Sequence, residues 1–341
     1  MKHLLELRTT ISPTPYFFRR IHYLAASLQD LGDGLGEHEI VVSVGGEAPR
    51  ENLFRTQPWS NRYPILWRWV DPEAYARLGY QATNRDRAWH MARARFVMIV
   101  DADVIFMDDF SELLGEIAAR PAVCGVMANK SPFLTSPDPA GSPRPRRSDR
   151  GWWRLLAQSF DIPDLPAEHG YAGANVSYVK EGLRERMGEP APAYFNGGMV
   201  IGPAEMIEEM CALYPAAEDA VDRVLTSYFR PQLARTLAIY KAQLPYRLLP
   251  QRYNFPNCPL FDQAYPLELE RIRMLHYLRT DIVHRDRDFQ DAESVSRLLR
   301  RTDLTGSNER LRRRVAGLHA RVAAEETASE PQIEPRPAAV I

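Results

Sequence analysis

The chain has 341 residues, with 43 basic and 44 acidic side chains and a formal charge of -1 at pH 7. Such a length is ample for a buried core and suits one elaborated domain, while the near-neutral balance excludes a molecule-wide field that gathers nucleic acid. Cys124, Cys211 and Cys258 lie far apart with no CxxC pair, which argues against a thiolate metal site or a redox centre and for a reducing compartment.

In chain order, residues 4–11 form an apolar, threonine-containing run that stops at Ser12-Pro13-Thr14-Pro15, and residues 16–31 carry apolar side chains at helical spacing. Residues 39–44 predict a second strand closing at Gly45-Gly46, 64–70 a third, and 81–95 a helix. Phe96-Val97-Met98-Ile99-Val100 is a continuous apolar run of the kind found in strands buried on both faces. A helix near 110–119 and a strand near 123–128 follow, then a loop rich in Pro, Arg and Ser over 131–150. A loop of that length is either functional or disordered. Trp152-Trp153-Arg154-Leu155-Leu156 opens a short helix, 194–201 reads as a strand, and helical spacing returns at 205–213, 233–244 and 293–324. The alternation predicts an α/β fold with a mostly parallel sheet and helices on both sides, whose ligands gather beyond the carboxyl ends of the strands. Charge interrupts residues 1–8 before a signal peptide can form, and no apolar stretch reaches the roughly 18 residues that cross a bilayer. A cytoplasmic protein, touching membranes at most peripherally, is expected.

The most informative motif is Val100-Asp101-Ala102-Asp103-Val104, where five apolar residues run straight into two carboxylates. Carboxylates are costly to bury unless paired or bound to metal. A hard divalent cation takes few protein carboxylates and completes its shell with water and phosphate oxygens, so two aspartates plus a diphosphate make a sensible site. Ala102 leaves room for the ligand. The same residues also fit a cap on the following helix or a strand end in solvent, and a strand entering Asp-x-Asp-x-Val is similar to the nucleophile motif of haloacid-dehalogenase phosphatases, with Asp101 as nucleophile.

Four segments in order resemble GT-A glycosyltransferases, and among them the retaining enzymes of glycosyltransferase family 8. They are Asp101-Ala102-Asp103 with its strand, Tyr194-Phe195-Asn196-Gly197-Gly198-Met199-Val200, Leu248-Leu249-Pro250-Gln251-Arg252-Tyr253-Asn254, and Leu275-His276-Tyr277. The likeness covers roughly residues 3–285. It implies a single GT-A (Rossmann-like) domain over 1–288; the helical spacing beyond it predicts a C-terminal helical extension over 289–324, and the Pro-, Glu- and Ala-rich composition of 325–341 a disordered tail. The likeness further implies that Asp101 and Asp103 hold Mn²⁺ or Mg²⁺ with a histidine near the domain end. His276 fits that third position, with His284 a nearby competitor. The Asn196-Gly197-Gly198 turn is similar to one that lets a donor sugar lie against bare backbone while the Asn amide bonds its hydroxyls. A family arginine contacts the donor from the helix before the metal strand. Arg85, 16 residues ahead of Asp101 and next to Asn84, takes that place, with Arg87 as the alternative. Thr9, Thr10 and Ser12 are positioned to meet the nucleotide, and Tyr16 to stack on its base. Each of these also fits a plainer role as loop hydroxyl, helix-surface charge, turn or packed histidine.

One departure stands out. The family places Asp-Gln on a helix where this chain has Pro231-Gln232, so the acidic residue is missing and Asn196 and Gln232 are left as the catalytic positions. With retention, the leaving diphosphate itself deprotonates the acceptor; inversion needs a carboxylate base, for which Asp108, Asp109 and Glu168 are the candidates. The expected donor is a UDP-sugar. The acceptor is a saccharide, a lipid-linked group or a small molecule, met by the 143–147 Arg/Pro loop with Trp152 and Trp153. Arg310, Arg312, Arg313 and Arg314 form either a solvated face or a contact to anionic lipid. A phosphatase and a non-catalytic nucleotide-sugar-binding module are the remaining function classes.

Overall fold

The structure, a computed structural model, describes residues 3–32, 37–46, 52–89, 91–133, 148–175 and 189–327. Seven strands build the main sheet: β1 His3–Ile11, β2 His38–Val44, β3 Ile65–Trp69, β4 Ala94–Val100, β6 Val123–Met127, β7 Phe195–Pro203 and β8 Tyr246–Leu249. Their spatial order is β3-β2-β1-β4-β7-β6-β8. β7 runs antiparallel to β4 and β6, and the other pairings are parallel. A second sheet, of order β5-β10-β9, comprises β5 Val104–Phe106, β9 Phe255–Pro256 and β10 Met274–His276.

The apolar run ahead of Asp101 is apolar on every residue because the sheet is covered on both faces. Phe96, Met98 and Val100 pack into one core with the helices Pro15–Gln29 and Gly306–Thr327, while Val97 and Ile99 pack into another with Ala204–Val224 and Arg230–Lys241. This is the period of two that a strand imposes on its side chains.

Several elements differ from expectation in extent. The helix expected over 81–95 is Tyr80–Trp89, preceded by Pro72–Leu78, and β4 already begins at Ala94. The helix expected over 205–213 runs through Pro215 to Val224, its apolar face continuing with Tyr214, Ala217 and Val221. The stretch 293–324 is two helices, Ala292–Leu299 and Gly306–Thr327, and Gly306 opens the second with φ of +56°, a conformation that favours glycine. Trp152 and Trp153, expected at an acceptor face, are 8% and 1% exposed. Both pack with Phe133, and the Trp153 indole donates to the Tyr171 hydroxyl; they are core. The 143–147 arginine/proline loop lies outside the described residues. Among the described residues no helix is long and apolar enough to cross a membrane.

The helix Gly306–Thr327 is built into the main core. Leu311, Val315, Leu318 and Val322 recur at helical spacing and are buried. Its arginines are engaged: Arg310 pairs with Glu270, Arg312 and Arg313 with Glu309, and Arg314 donates to the Phe106 and Ser27 carbonyls. Residues 325–327, expected in a disordered tail, complete this helix, and 328–341 lie outside the described residues. Glu325 is buried, 2.7 Å from His22 Nε2, and accepts a 2.7 Å hydrogen bond from the Tyr63 hydroxyl. Burial alone would raise its pKa; the bonds from His22 and Tyr63 outweigh that and hold the carboxyl below its ordinary value of 4.5.

Glu325→Ala should lower stability by about 1–3 kcal/mol at neutral pH, because Tyr63 and His22 lose a buried acceptor. Since the folded-state pKa lies below the unfolded value near 4.5, this contribution is complete above that pH and fades as pH falls through the lower folded value. Urea midpoints of the two proteins should therefore converge in acid; equal midpoints at pH 7 would contradict the assignment.

Candidate active site

β4 ends at Val100, the chain turns through Asp101-Ala102-Asp103, and it leaves the main sheet as β5. There it meets β10 in antiparallel register, with Val104 opposite His276 and Phe106 opposite Met274. The Tyr277 amide donates to the Asp103 carbonyl at 3.0 Å. This pairing brings His276 to the aspartates: one ligand atom from each of Asp101, Asp103 and His276 falls within 4.8 Å of the others. His276 Nε2 is 3.3 Å from Asp103 Oδ1 and is buried with no hydrogen-bond partner among the described residues. Burial lowers the His276 pKa, opposed by the Asp101 charge, which favours the neutral imidazole that a metal requires. Buried polar atoms normally have partners, and an orphaned imidazole nitrogen facing two carboxylates is a donor set that fits Mn²⁺ or Mg²⁺. His284 is elsewhere, capping the short helix Arg285–Asp288 by accepting from the Asp286 amide.

β7 supplies the opposite wall. Its antiparallel register, Met199 against Val100, carries Gly198 and Gly197 alongside the Asp101 turn. A Cβ on Gly198 would lie 2.4 Å from His276 Nδ1 and 2.6 Å from Asn254 Oδ1. One on Gly197 would lie 3.0 Å from Gln232 Nε2 and 3.4 Å from Asp101 Oδ2. Close approach, not φ, demands glycine at 198. Asn196 Oδ1 accepts from the Gly198 amide at 2.9 Å and fixes the turn.

These walls enclose two adjoining lobes. The first, about 450 Å³, is lined by Thr10, Tyr16, Asn84, Asp101, Ala102, Asp103 and Gly197 among others. The second, about 330 Å³, is lined by Asn129, Lys130, Asn196, Phe229 and His276. Asp101, Tyr228, Gln232, Arg279 and Arg285 border both. Most of the residues expected at the site therefore converge. Thr10 bonds the Tyr80 hydroxyl at 2.6 Å, and the Tyr16 ring stacks against Arg20. Thr9 is buried off the lining. Arg85 points away, to Glu218 and Asp219 at 2.9 and 2.6 Å. The arginine at the site is Arg87, which donates to the Val100 carbonyl and the Asn84 amide oxygen and stands 3.9 Å from Asp101. Burial, then the nearby Arg235 charge, lowers its pKa to about 10, so it remains a cation at neutral pH. Asp108, Asp109 and Glu168 line neither lobe.

Among the lining residues that went unread in the sequence are Arg235, Arg285 and Tyr228. Arg235 follows Gln232 by one helical turn in Arg230–Lys241, a spacing that puts both on one face and so carried a signal. Arg285 pairs with Asp103 across 182 residues, with no local signal. Tyr228 is 77% exposed at the rim.

No protein-family model matches the chain, and no curated protein matches it in sequence. Solved structures do match in fold. One is the bifunctional glycosyltransferase WbbM in its apo form, at 14% identity over 92% of this chain and 52% of that one, with a TM-score of 0.51. The present chain thus spans about half of WbbM. Another is an active-site glutamine-to-glutamate mutant of LgtC, at 12% identity over 92% and 95% of the two chains, with a TM-score of 0.51. The galactosyltransferase LgtC with donor and acceptor sugar analogues matches at 13% identity over 80% and 86%, with a TM-score of 0.48. The likeness of fold rests on the first two, and the architecture is the GT-A type expected from the sequence.

Gly198→Ala should displace His276 and Asn254 and cost about 1–3 kcal/mol. Thermal denaturation checks this; a Tm equal to that of the wild-type protein would mean that the wall is looser than the contacts require.

Proposed function

We propose that the protein is a metal-dependent glycosyltransferase that moves a sugar from a nucleoside-diphosphate donor, a UDP-sugar, to an acceptor entering the second lobe. The observation that carries this reading is the Asp101, Asp103 and His276 cluster at the seam between two lobes that share Gln232. When bound there, Mn²⁺ or Mg²⁺ would supply charge neutralisation for a departing diphosphate. The first lobe takes the donor, with Thr10 and Tyr16 on the nucleotide side and Asn84 and Arg87 toward the sugar. Asn196 and Gln232 face the junction, where their amides can orient sugar hydroxyls. LgtC has an active-site glutamine, as its mutant structure indicates, and Gln232 is the glutamine that borders both lobes here.

Transfer breaks the bond between the anomeric carbon and the diphosphate oxygen and forms a bond from that carbon to an acceptor oxygen. The acceptor proton needs a base. Among the described residues lining the second lobe, Asp101 is the only carboxylate, and it belongs to the metal cluster. That supports proton transfer to the departing diphosphate and, with it, retention at the anomeric carbon.

The test is calorimetry and thermal shift with a panel of nucleotide sugars, each with and without Mn²⁺. Metal-dependent binding of UDP and at least one UDP-sugar is expected, and stabilisation by none of them would overturn the reading. Asp103→Ala should remain folded while its UDP affinity in Mn²⁺ falls by about 100-fold or more, above the ~10–100-fold typical of losing an outer-shell partner. Unchanged affinity would remove Asp103 from the site.

A further inference from the structure

We infer that Arg235, with Arg87 beside it, forms an anion pocket in the floor of the first lobe that selects a donor whose sugar carries a carboxylate, a nucleoside-diphosphate uronic acid. The inference rests on the reading of this lobe as the donor site and goes beyond it to the class of sugar.

Among the described residues, six arginines line the lobe: Arg20, Arg87, Arg230, Arg235, Arg279 and Arg285. Four have carboxylate partners. Arg20 and Arg279 pair with Asp286 at 2.6 and 2.5 Å, Arg285 pairs with Asp103, and Arg230 pairs with Asp222 at 3.0 Å. Arg87 is held by the Val100 carbonyl and Asn84, with Asp101 3.9 Å away. Arg235 is 5% exposed, lines the lobe, and has no hydrogen-bond or ion-pair partner among the described residues. A guanidinium cannot shed its proton, so a buried one without a counter-charge is costly unless a ligand brings the anion.

Its place on the helix says which part of the donor brings that charge. Gln232 lies against Gly197 at the seam of the lobes, where the transferred sugar must sit for an acceptor to reach it. Arg235 follows one turn along the same helix, deeper than the seam, where it and Arg87 border a small space with Ile99, Met210, Cys211 and Tyr214. The diphosphate belongs on the metal side. The charge that meets Arg235 is therefore on the sugar, and a planar carboxylate matches the guanidinium fork. Pro231 is consistent with this, since an acidic residue at that position would repel a carboxylated sugar.

Calorimetry in Mn²⁺ should compare UDP, UDP-glucose and UDP-galactose with UDP-glucuronic and UDP-galacturonic acids. The wild-type protein is expected to bind one uronate about tenfold or more tightly than its neutral counterpart, the size of one charge-assisted hydrogen bond. In Arg235→Gln that ratio should fall to near one, and Arg235→Lys should keep part of it. Without ligand, Arg235→Gln should melt no lower than the wild-type protein, because it removes an uncompensated buried cation, whereas a purely structural arginine would lower the Tm. Neutral sugars bound as tightly as their uronates, or a ratio that survives Arg235→Gln, would overturn the inference while leaving the donor site standing. Failure of UDP itself to bind under any metal condition would overturn both. Should Arg235→Gln not fold, the wild-type ratio and Arg235→Lys still decide.

Discussion

The site depends on the register of three residue pairs. β5 and β10 are each three residues long, and their antiparallel pairing puts His276 opposite Val104, next to Asp103. A slip of one residue would present Leu275 or Tyr277 in its place, because side chains alternate faces along a strand. The fully buried Leu275 and Tyr277 resist such a slip; each large apolar side chain returned to water costs about 1.5–3 kcal/mol. Tyr277 stacks on Phe289 at 4.5 Å. Just past β10, the Leu278 amide donates to the buried Asn257, whose own amide donates to the Val283 carbonyl and to Asn308. The core and one asparagine thus hold the histidine where two carboxylates already end a buried strand.

Charge is the second organising feature. The main sheet delivers carboxylates at the end of β4, and the surrounding walls are rich in arginine. Opposite charges brought together in a recess partly shielded from water interact more strongly than at the surface, so the pairings of Arg285 with Asp103 and of Arg20 with Asp286 order the recess while leaving cationic capacity for a polyanionic ligand. The second lobe contrasts with the first in having little carboxylate of its own. That asymmetry underlies both the proposed direction of transfer and the proposed base. A phosphatase would use Asp101 as a nucleophile; here Asp101 is grouped with Asp103 and His276, and the fold is shared with solved glycosyltransferases.

What could be read from the sequence followed from local pattern. β4 carries a continuous apolar run, β1 to β3 are rich in apolar residues and bounded by turn residues, and the period of two or 3.6 survives without tertiary knowledge. The two aspartates were legible for the same reason, as charge at the end of a buried strand. What escaped reading was set by distance or by which face of a helix turns inward. Arg85 and Arg87 are two residues apart on Tyr80–Trp89 and so point to different sides: one to Glu218 and Asp219, the other into the site. The carboxylates that hold Arg85 lie on the helix Ala204–Val224 and the carbonyl that draws Arg87 inward lies on β4, both remote in the chain or set by tertiary packing. Trp152 and Trp153 read as a sugar-facing pair, yet burial of two indoles against Phe133 is worth more than exposure. The C-terminal helix read as an extension because the likeness to GT-A enzymes ends near residue 285; Arg314 and Glu325 instead bond to groups on the first core helix and its neighbours.

The central claim is that His276 completes a metal site with Asp101 and Asp103. Pulsed electron paramagnetic resonance of Mn²⁺ bound in the presence of UDP tests it most directly, since a coordinated imidazole couples its ¹⁴N nucleus to the electron spin. The account predicts a nitrogen coupling in the wild-type protein that persists in His284→Ala and disappears in His276→Ala. Bound Mn²⁺ without nitrogen coupling, or a coupling that survives His276→Ala, would contradict it.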